Sequence, residues 1–220
     1  MSNKHWFASA GLIYVVAWLV GLLIEFDTPQ ASASLSELTA YFQSHQQTHL
    51  LQAYLIAGIA GIALLIFTAA LVMFLQERTN TSSAFVYTIL GSGIAAATVS
   101  LVQAGLQEAL ISQPILAAQG ESLRLLLVMI GSLDTFKLLA LALLSGLTSV
   151  LVLRARLWPQ WLGWMGILLT GTLVLGGLNF IVNNIVFLTV LFVSLPLLLL
   201  WVGSVSVVIL LNREASPLSL

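Results

Sequence analysis

Residues 157–212 read LWPQWLGWMGILLTGTLVLGGLNFIVNNIVFLTVLFVSLPLLLLWVGSVSVVILLN and contain no charged side chain. About 20 apolar helical residues cross the roughly 30 Å hydrocarbon core of a bilayer, so this run of 56 residues is too long for one crossing. Its only polar cluster, NFIVNN at residues 179–184, divides it into two apolar stretches, 161–180 and 185–210. The run therefore predicts two antiparallel membrane helices joined by an asparagine-rich turn.

The rest of the 220-residue chain has the same character, since 60% of the whole sequence is hydrophobic and only 7% is charged. Soluble domains carry about 25% charged residues, so the composition excludes a soluble globular protein. Four more stretches are long and apolar enough to cross a bilayer: residues 7–25, 50–75, 84–108 and 125–153. The sequence predicts a single integral membrane domain, an all-α bundle of six transmembrane helices.

The charge balance and the absence of cysteine exclude several functions. Seven Lys and Arg side chains against eight Asp and Glu leave a net charge of -1, and a chain without a basic surface does not bind nucleic acid. With no cysteine there is no disulfide, no thiolate nucleophile and no cysteine-ligated metal.

The orientation in the membrane is predicted from the basic residues of the short loops, which favour the cytoplasmic side. On one side of the predicted bundle, Arg124 is the only basic residue of the loops. The basic residues of the other side are Lys4, Arg78, Arg154, Arg156 and Arg213. Both termini are therefore predicted to be cytoplasmic, in a cytoplasmic membrane.

One amphipathic segment separates the first two predicted membrane helices. Ser34 and Glu37 have the spacing of a capping box, which predicts that a helix begins at Leu35. At 3.6 residues per turn one face of this helix, residues 35–49, carries Leu35, Leu38, Phe42, His45 and His49. Because no proline or glycine occurs from Leu35 to Ala57, we expect it to lie on the extracytoplasmic surface of the membrane and then to run into the second membrane helix.

Most remaining polar residues fall at the extracytoplasmic ends of the predicted helices. They are Glu25, Asp27, Ser100, Gln103, Gln107, Glu108, Arg124, Asp134, Lys137, Asn179, Asn183 and Asn184. Polar groups that face lipid without a partner cost several kcal/mol each, which favours their gathering around a common vestibule. In this vestibule Gln103, Gln107, Asn179 and Asn183 are the candidate ligand-binding residues.

Three ionisable residues of this end are candidates for chemistry. Asp134 and Lys137 are three residues apart and can meet on one helical face, either as a functional pair or as a pair that only neutralises itself and fixes helix packing. Glu108 can be a general base or a plain interfacial carboxylate. These three are the candidate catalytic residues, and the sequence leaves both alternatives open for each.

His45 and His49 have the i, i+4 spacing with which two imidazoles can bind one divalent metal. A metal there would need carboxylate ligands from among Glu25, Asp27, Glu108 and Asp134. The sequence contains no second histidine pair, so two interfacial histidines without a metal, and a protein without a cofactor, are favoured. Both the binding vestibule and the metal alternative predict that His45, His49, Glu108 and Asp134 converge around one cavity, and both fail if Glu108 and Asp134 lie far apart.

Several short motifs carry a family resemblance: AGLIY at residues 10–14, DTP at 27–29, AYF at 40–42 with His45, and RLWPQWLGWMG at 156–166. Together they resemble small bacterial membrane proteins of the family catalogued as domain of unknown function 4386. The likeness extends over most of the chain and rests mainly on PxWLG and on the region from DTP to His45. It implies a six-helix bundle in a bacterial inner membrane and supplies no reaction or ligand.

Three functions are compatible with these features. The leading hypothesis is a protein without catalytic activity that binds a lipid, a small amphiphilic ligand or a membrane partner through the polar vestibule. The alternative is a membrane-embedded enzyme that acts on a lipid or isoprenoid, with Glu108 or Asp134 as acid or base and a metal on the two histidines. A transporter is disfavoured because few polar residues fall in the cytoplasmic half. Small-residue pairs at four-residue spacing indicate packing within the bundle more than a homo-oligomer interface.

Overall fold

The structure, a computed structural model, describes residues 4–25, 28–29, 31–79, 83–112, 121–182 and 184–212. Within these ranges every regular element is helical and there is no β-strand. The prediction of an all-α fold is therefore confirmed. The elements in chain order are α1 (Lys4–Ile24), α2 (Leu35–Ser44), α3 (Gln46–Ala53), a π-helical segment (Tyr54–Ile59), α4 (Ala60–Arg78), α5 (Ser83–Leu110), α6 (Glu121–Ala155), α7 (Gln160–Gly177), α8 (Asn179–Val182) and α9 (Ile185–Asn212).

Four helices of the described chain are long and apolar enough to cross a membrane: Gln46–Arg78, Ala84–Leu110, Glu121–Ala155 and Ile185–Leu211. The first of them joins α3, the π-helical segment and α4 into one continuous helix. A shorter apolar helix runs over Ser9–Ile24, within α1. The predicted stretches 84–108, 125–153 and 185–210 lie inside observed helices. The predicted stretch 50–75 begins in α3, in agreement with the expectation that the amphipathic region runs into the second membrane helix.

The long helices of the described chain pack side by side in a closed ring. Each contacts the next in the order α1, α4, α5, α6, α7 and α9, and α9 closes the ring by packing on α1. Neighbours such as α7 and α9 are antiparallel, since Gly166 lies against Trp201 and Gly176 lies against Leu191. We call one end of the bundle the Glu25 end and the other the Arg154 end, after a residue that lies at each.

Glycines allow neighbouring helices to approach closely. A Cβ atom at Gly11 would lie 1.9 Å from Ser206 Oγ, and one at Gly93 would lie 2.2 Å from Thr68 Oγ1. Since real Cβ atoms do not approach other atoms so closely, these helix pairs require a residue without a side chain at these points. Gly93 and Gly21 belong to the predicted small-residue pairs, and each lies against a neighbouring helix. At these two glycines the prediction of packing within the bundle is confirmed.

The amphipathic region forms two short helices instead of one helix over residues 35–49. Ser34 caps α2 as predicted, since its Oγ accepts from the Glu37 amide at 3.2 Å. The break falls at His45, where Ser44 Oγ donates to the Ala40 and Tyr41 carbonyls and His45 Nδ1 lies 3.0 Å from the Tyr41 oxygen. The Tyr41 carbonyl still accepts its helical bond from the His45 amide at 3.0 Å, so the interruption is local to His45, whose φ of -115° and ψ of 21° are not helical.

Gly93 and Gly91 offer a matched test of the ring, because Gly93 faces α4 whereas no atom lies within 4 Å of a Cβ built at Gly91. We expect Gly93→Ala to destabilise the protein by about 1–3 kcal/mol, because the added methyl group displaces Thr68. Gly91→Ala is expected to leave the melting temperature unchanged or slightly higher. Thermal unfolding of the two variants in the same detergent measures the difference, and equal melting temperatures would contradict the close α4–α5 contact.

Candidate functional site

A chamber of about 200 Å³ lies inside the ring. Every long helix of the ring contributes to its wall. The lining residues are Tyr14 and Trp18 of α1, Leu64 of α4, Ser100 of α5, Asp134, Lys137, Leu138 and Leu141 of α6, Leu173 of α7, and Leu191, Phe192, Ser194, Leu195 and Leu198 of α9. The wall is thus mostly leucine and aromatic, with one carboxylate and one ammonium group.

The two charged groups of the chamber form an ion pair. Lys137 Nζ lies 2.6 Å from Asp134 Oδ1, and the Lys137 and Asp134 side chains keep only 13% and 31% of their surface exposed. The predicted contact between these residues on one face of α6 is therefore confirmed. A charge buried without a partner is strongly destabilising. Each residue therefore neutralises the charge of the other inside the bundle.

Gln103 of α5 holds this pair in position. Its Oε1 accepts from Lys137 Nζ at 2.7 Å, and its Nε2 donates to the Ile130 carbonyl of α6 at 3.0 Å. The side chain is 2% exposed and does not line the chamber. Gln103, which the sequence predicts as a ligand-binding residue, thus uses both ends of its amide within the protein.

The pair lies well inside the bundle. Lys137 is 17 residues from Arg154 along α6, which is about 25 Å at 1.5 Å per residue. A Lys side chain cannot cover that distance, so its ammonium group cannot reach the charges of the Arg154 end. The partners that it does contact, Asp134 and Gln103, lie within the bundle.

At α9 the wall of the chamber is also part of the outer surface of the bundle, because Phe192 lines the chamber and is 71% exposed. Pro196 lies in the next turn of the helix and has no amide hydrogen to donate to the Phe192 carbonyl. This exposed part of the wall therefore coincides with a point where the helical hydrogen-bond ladder of α9 is interrupted.

Trp201 closes the chamber toward the Arg154 end. It follows Leu198 by three residues on α9, is 1% exposed and is one of the largest fully buried side chains. Its indole nitrogen would lie 2.6 Å from a Cβ at Gly166 of α7, so the ring fits into space that this glycine leaves. The described part of the Arg154 half is consequently filled at this level.

A second polar cluster lies at the Glu25 end, away from the chamber. The Tyr41 hydroxyl donates to Glu25 Oε1, and His49 Nδ1 lies 3.2 Å from Glu25 Oε2. Gln52 Nε2 donates to the Gly21 and Glu25 carbonyls at 3.1 and 2.7 Å, which satisfies carbonyls at the C-terminal end of α1. Together Tyr41, His49 and Gln52 fasten α2, α3 and the start of the following helix to the end of α1.

The other predicted site residues do not join either cluster. Glu108 is exposed, Gln107 is half-buried, and neither lines the chamber. Asn179 lies in the link between α7 and α9, where its Oδ1 is buried without a hydrogen-bond partner in the described chain. Asn183 and Asp27 fall outside the described residues. A single vestibule that collects all these groups is not found.

The two histidines point in different directions. His45 is exposed and its ring stacks on Tyr41 at 4.5 Å, whereas His49 is buried, with its ring edge-to-face with Phe42 at 5.0 Å. The described residues contain no group of three His, Asp or Glu side chains that could hold a metal ion. The structure does not bring His45, His49, Glu108 and Asp134 together, so the geometry that the metal alternative requires is not seen in the part of the chain described.

The Arg154 half contains more buried polar groups than the sequence suggests. Ser145, Thr148 and Ser149 of α6 and Ser206 of α9 are at most 1% exposed. Ser145 Oγ lies 3.1 Å from Thr170 Oγ1 of α7, so at least these two hydroxyls join neighbouring helices. Such hydroxyls are common at tight contacts of membrane helices, and an apolar layer that includes Leu138 and Leu141 separates them from Lys137 along α6.

The chamber's aromatic wall was not identified from the sequence. Tyr14, Trp18 and Phe192 come from the first and last helices of the ring, and nothing in their sequence spacing shows that these helices are neighbours. A sequence signal existed only for Pro196, four residues after Phe192, because proline inside an apolar stretch marks an irregular helix.

Comparisons with known proteins add no relative. No family model, no curated protein and no solved structure matches this chain. The resemblance to the family of domain of unknown function 4386 stays a prediction that rests on the motifs quoted above.

The ion pair can be tested by removing one charge or both. We expect Lys137→Met to destabilise the protein by about 3 kcal/mol, because Asp134 is left charged and without its partner in the chamber. The double variant Asp134→Asn with Lys137→Met leaves no buried charge and is expected to recover most of this loss. Thermal unfolding measures both, and a double variant that is less stable than Lys137→Met would contradict an ion pair that is held by mutual neutralisation.

The second cluster can be tested at Gln52, with Gln47 as the matched control on α3. Gln52→Leu removes two hydrogen bonds to carbonyls at the end of α1, at a cost of about 1–3 kcal/mol, whereas Gln47 is exposed. We expect faster hydrogen exchange of the amides in residues 31–53 in Gln52→Leu and unchanged exchange in Gln47→Leu. Equal exchange in the two variants would show that Gln52 does not fasten this region.

Proposed function

We propose that this chain is a multi-pass membrane protein whose six long helices all cross the bilayer, and that its chamber binds one end of a small amphiphilic ligand. The proposal rests on one observation above all: a mostly apolar chamber, whose wall reaches the outer surface at Phe192, contains a half-buried ion pair. The ligand's polar head contacts Lys137 and Asp134, and its apolar chain lies against the leucines and leaves past Phe192.

The closed ring supports six crossings. α1 and α7 contain 21 and 18 residues, about 31 and 27 Å of helix, so both approach the thickness of the hydrocarbon core. Each packs between two neighbours that are long and apolar enough to cross. A helix held in this way inside the ring crosses together with its neighbours.

Exposed aromatic side chains support the position of the bilayer. Tyr87, Trp161 and Trp164 are 61%, 57% and 63% exposed near the Arg154 end, and Tyr54 is 63% exposed near the Glu25 end. Tyrosine and tryptophan concentrate at the two interfaces of a membrane, where the ring is apolar and the polar atom reaches water. Exposed aromatic side chains at both ends of the ring are the arrangement expected at the two faces of one bilayer.

The orientation follows from the same ends. The antiparallel helices bring Lys4, Arg78, Arg154 and Arg156 to the Arg154 end, which we assign to the cytoplasm. α2 and α3 are then extracytoplasmic, as is the Glu25 cluster. The family resemblance places such a bundle in a bacterial inner membrane.

The size of the chamber limits what it holds. A protein cavity of about 150 Å³ accommodates benzene, so about 200 Å³ accepts a head group and the first few carbons of a chain. A whole lipid does not fit. Because the entrance that we propose at Phe192 is lateral, the remaining chain stays in the bilayer, and the ligand need not leave the membrane to bind.

The enzyme alternative is less well supported. It requires Glu108 or Asp134 to act as acid or base beside a substrate, yet Glu108 is exposed outside the chamber and Asp134 is paired with Lys137. A transporter needs a route through the whole bundle, and Trp201 fills the ring on the Arg154 side of the chamber. Binding needs only the chamber and the proposed entrance.

Native mass spectrometry of the purified protein in phosphatidylcholine nanodiscs tests the proposal after incubation with total bacterial lipid extract. We expect one bound amphiphile on the unmodified protein and loss of this species in Leu138→Trp, which fills the chamber. Leu139→Trp is the matched control, because Leu139 is 46% exposed and does not line the chamber.

A second pair of variants protects the test against misfolding. Leu195→Trp also fills the chamber, whereas Leu200 on the same helix is 62% exposed and serves as its control. All four variants are checked by helical content and gel filtration before binding is measured. The proposal is wrong if no amphiphile binds the unmodified protein, or if folded filling variants bind it as well as their controls do.

A further inference from the structure

We infer that the head group recognised by the chamber is an uncharged hydroxyl, so that the ligand class is a long-chain or isoprenoid alcohol. This inference rests on the proposed binding function and specifies its ligand. It follows from the charge balance of the chamber wall and from the hydrogen bonds that Lys137 and Asp134 leave unused.

The charges of the wall favour a neutral head group. The Lys137 ammonium and the Asp134 carboxylate are 2.6 Å apart and cancel each other, and the other residues that line the chamber are uncharged. An anionic head group beside Lys137 would also face Asp134, and a cationic one beside Asp134 would face Lys137. Water screens such repulsion poorly in a wall of leucine and aromatic side chains. The repulsion that a charged head group meets from one residue of the pair therefore offsets its attraction to the other.

The unused hydrogen-bonding groups select a hydroxyl among the neutral head groups. An ammonium group has three hydrogens. Lys137 donates one of them to Asp134 and a second to Gln103. Among the described residues, Lys137 and Asp134 form no further side-chain hydrogen bond, so the third hydrogen and Asp134 Oδ2 are left for a ligand. A hydroxyl oxygen accepts from the ammonium while its hydrogen goes to the carboxylate, whereas a carbonyl or an ether only accepts.

The shape of the chamber agrees with a single chain attached to this hydroxyl. The ion pair lies on α6, and the proposed entrance lies at Phe192 on α9, with Leu141 and Leu195 lining the space between these helices. A primary alcohol places its oxygen at the pair and directs its chain toward the entrance. A branched or double-chained head group would need more than the volume available there.

A series of probes with one common chain measures the preference for the head group. The probes are 1-dodecanol, dodecane, dodecyl phosphate and dodecyltrimethylammonium, each titrated into nanodiscs that contain the full chain and compared at equal mole fraction in the membrane. We expect 1-dodecanol to bind about tenfold or more tightly than each of the other three, the effect of a hydrogen bond to a charged group.

Single-charge variants should change this preference in opposite directions. Asp134→Asn leaves a net positive wall, so binding of dodecyl phosphate should rise about tenfold relative to 1-dodecanol. Lys137→Met leaves a net negative wall and should favour dodecyltrimethylammonium in the same way. Glu121→Gln removes a carboxylate from α6 outside the chamber and is the control in which the order of the probes stays unchanged.

Farnesol and 1-monolauroylglycerol distinguish the natural sources of such a hydroxyl. Tighter binding of farnesol than of 1-dodecanol identifies an isoprenoid alcohol, whereas tighter binding of 1-dodecanol identifies a straight-chain alcohol. Binding of 1-monolauroylglycerol above both would contradict a head group small enough for the chamber.

The outcomes separate this inference from the proposed function. If the unmodified protein binds dodecane or dodecyl phosphate as tightly as 1-dodecanol, and Leu138→Trp abolishes that binding, the chamber is a binding site and the hydroxyl assignment is wrong. If no probe binds, or if Leu138→Trp and Leu139→Trp bind every probe equally, the proposed function itself fails.

Discussion

The ion pair between Lys137 and Asp134 constrains the packing around it, because a lone charge inside an apolar bundle would cost more than most single interactions contribute. Lys137 is too far from the Arg154 end for its ammonium group to reach water there, and its observed partners are internal. Asp134 provides one of them from the preceding turn of the same helix. Gln103 provides the other and bonds the Ile130 carbonyl with its amide nitrogen, which fixes the register of α5 against α6.

That register has consequences for the rest of the ring. With Gln103 facing α6, the opposite contacts of α5 go to α4, where Gly93 and Ser100 meet Thr68 and Gly61. On the other side α6 meets α7 at Gly146 against Thr170. Close contacts at small residues pull each helix pair together at particular points, and between these points the leucines do not fill the centre completely. The chamber is the space that remains at the level of the ion pair.

The sequence predicts the helices well because their signal is local. Gaps between charges locate the apolar helices, and the i, i+3 spacing of Asp134 and Lys137 predicts their contact. Partners from other helices have no such signal: Gln103 is 34 residues from Lys137, and Glu25 is 24 residues from His49. These contacts depend on which helices are neighbours in the ring. The spacing of charges along the sequence does not predict which helices are neighbours.

The two histidines show a limit of helical periodicity. Spacing of i, i+4 places His45 and His49 on one face only if the helix is continuous between them. Ser44 and His45 bond to carbonyls of the preceding turn, and the helix breaks at His45. One ring then stacks on Tyr41 at the surface, while the other is buried beside Glu25. The backbone of His45, with a φ of -115° and a ψ of 21°, leaves helical geometry, and spacing alone does not predict such a break.

Both ends of the chamber are covered by other parts of the protein. Toward the Arg154 end Trp201 fills the ring beside Gly166. Toward the Glu25 end α2 packs on α6, and Leu38, Phe42, Leu110 and Leu123 form a separate apolar cluster in contact with Leu127 and Ile130, one to two turns before Asp134. The Glu25 cluster holds α2 and α3 over this end through bonds that involve no residue of the chamber. With both ends covered, the exposed part of the wall at Phe192 lies on the side of the ring, which faces the bilayer if the long helices cross it as we propose. A ligand that enters there, as proposed, is already dissolved in the membrane, where apolar chains are common and the head group is the distinguishing feature.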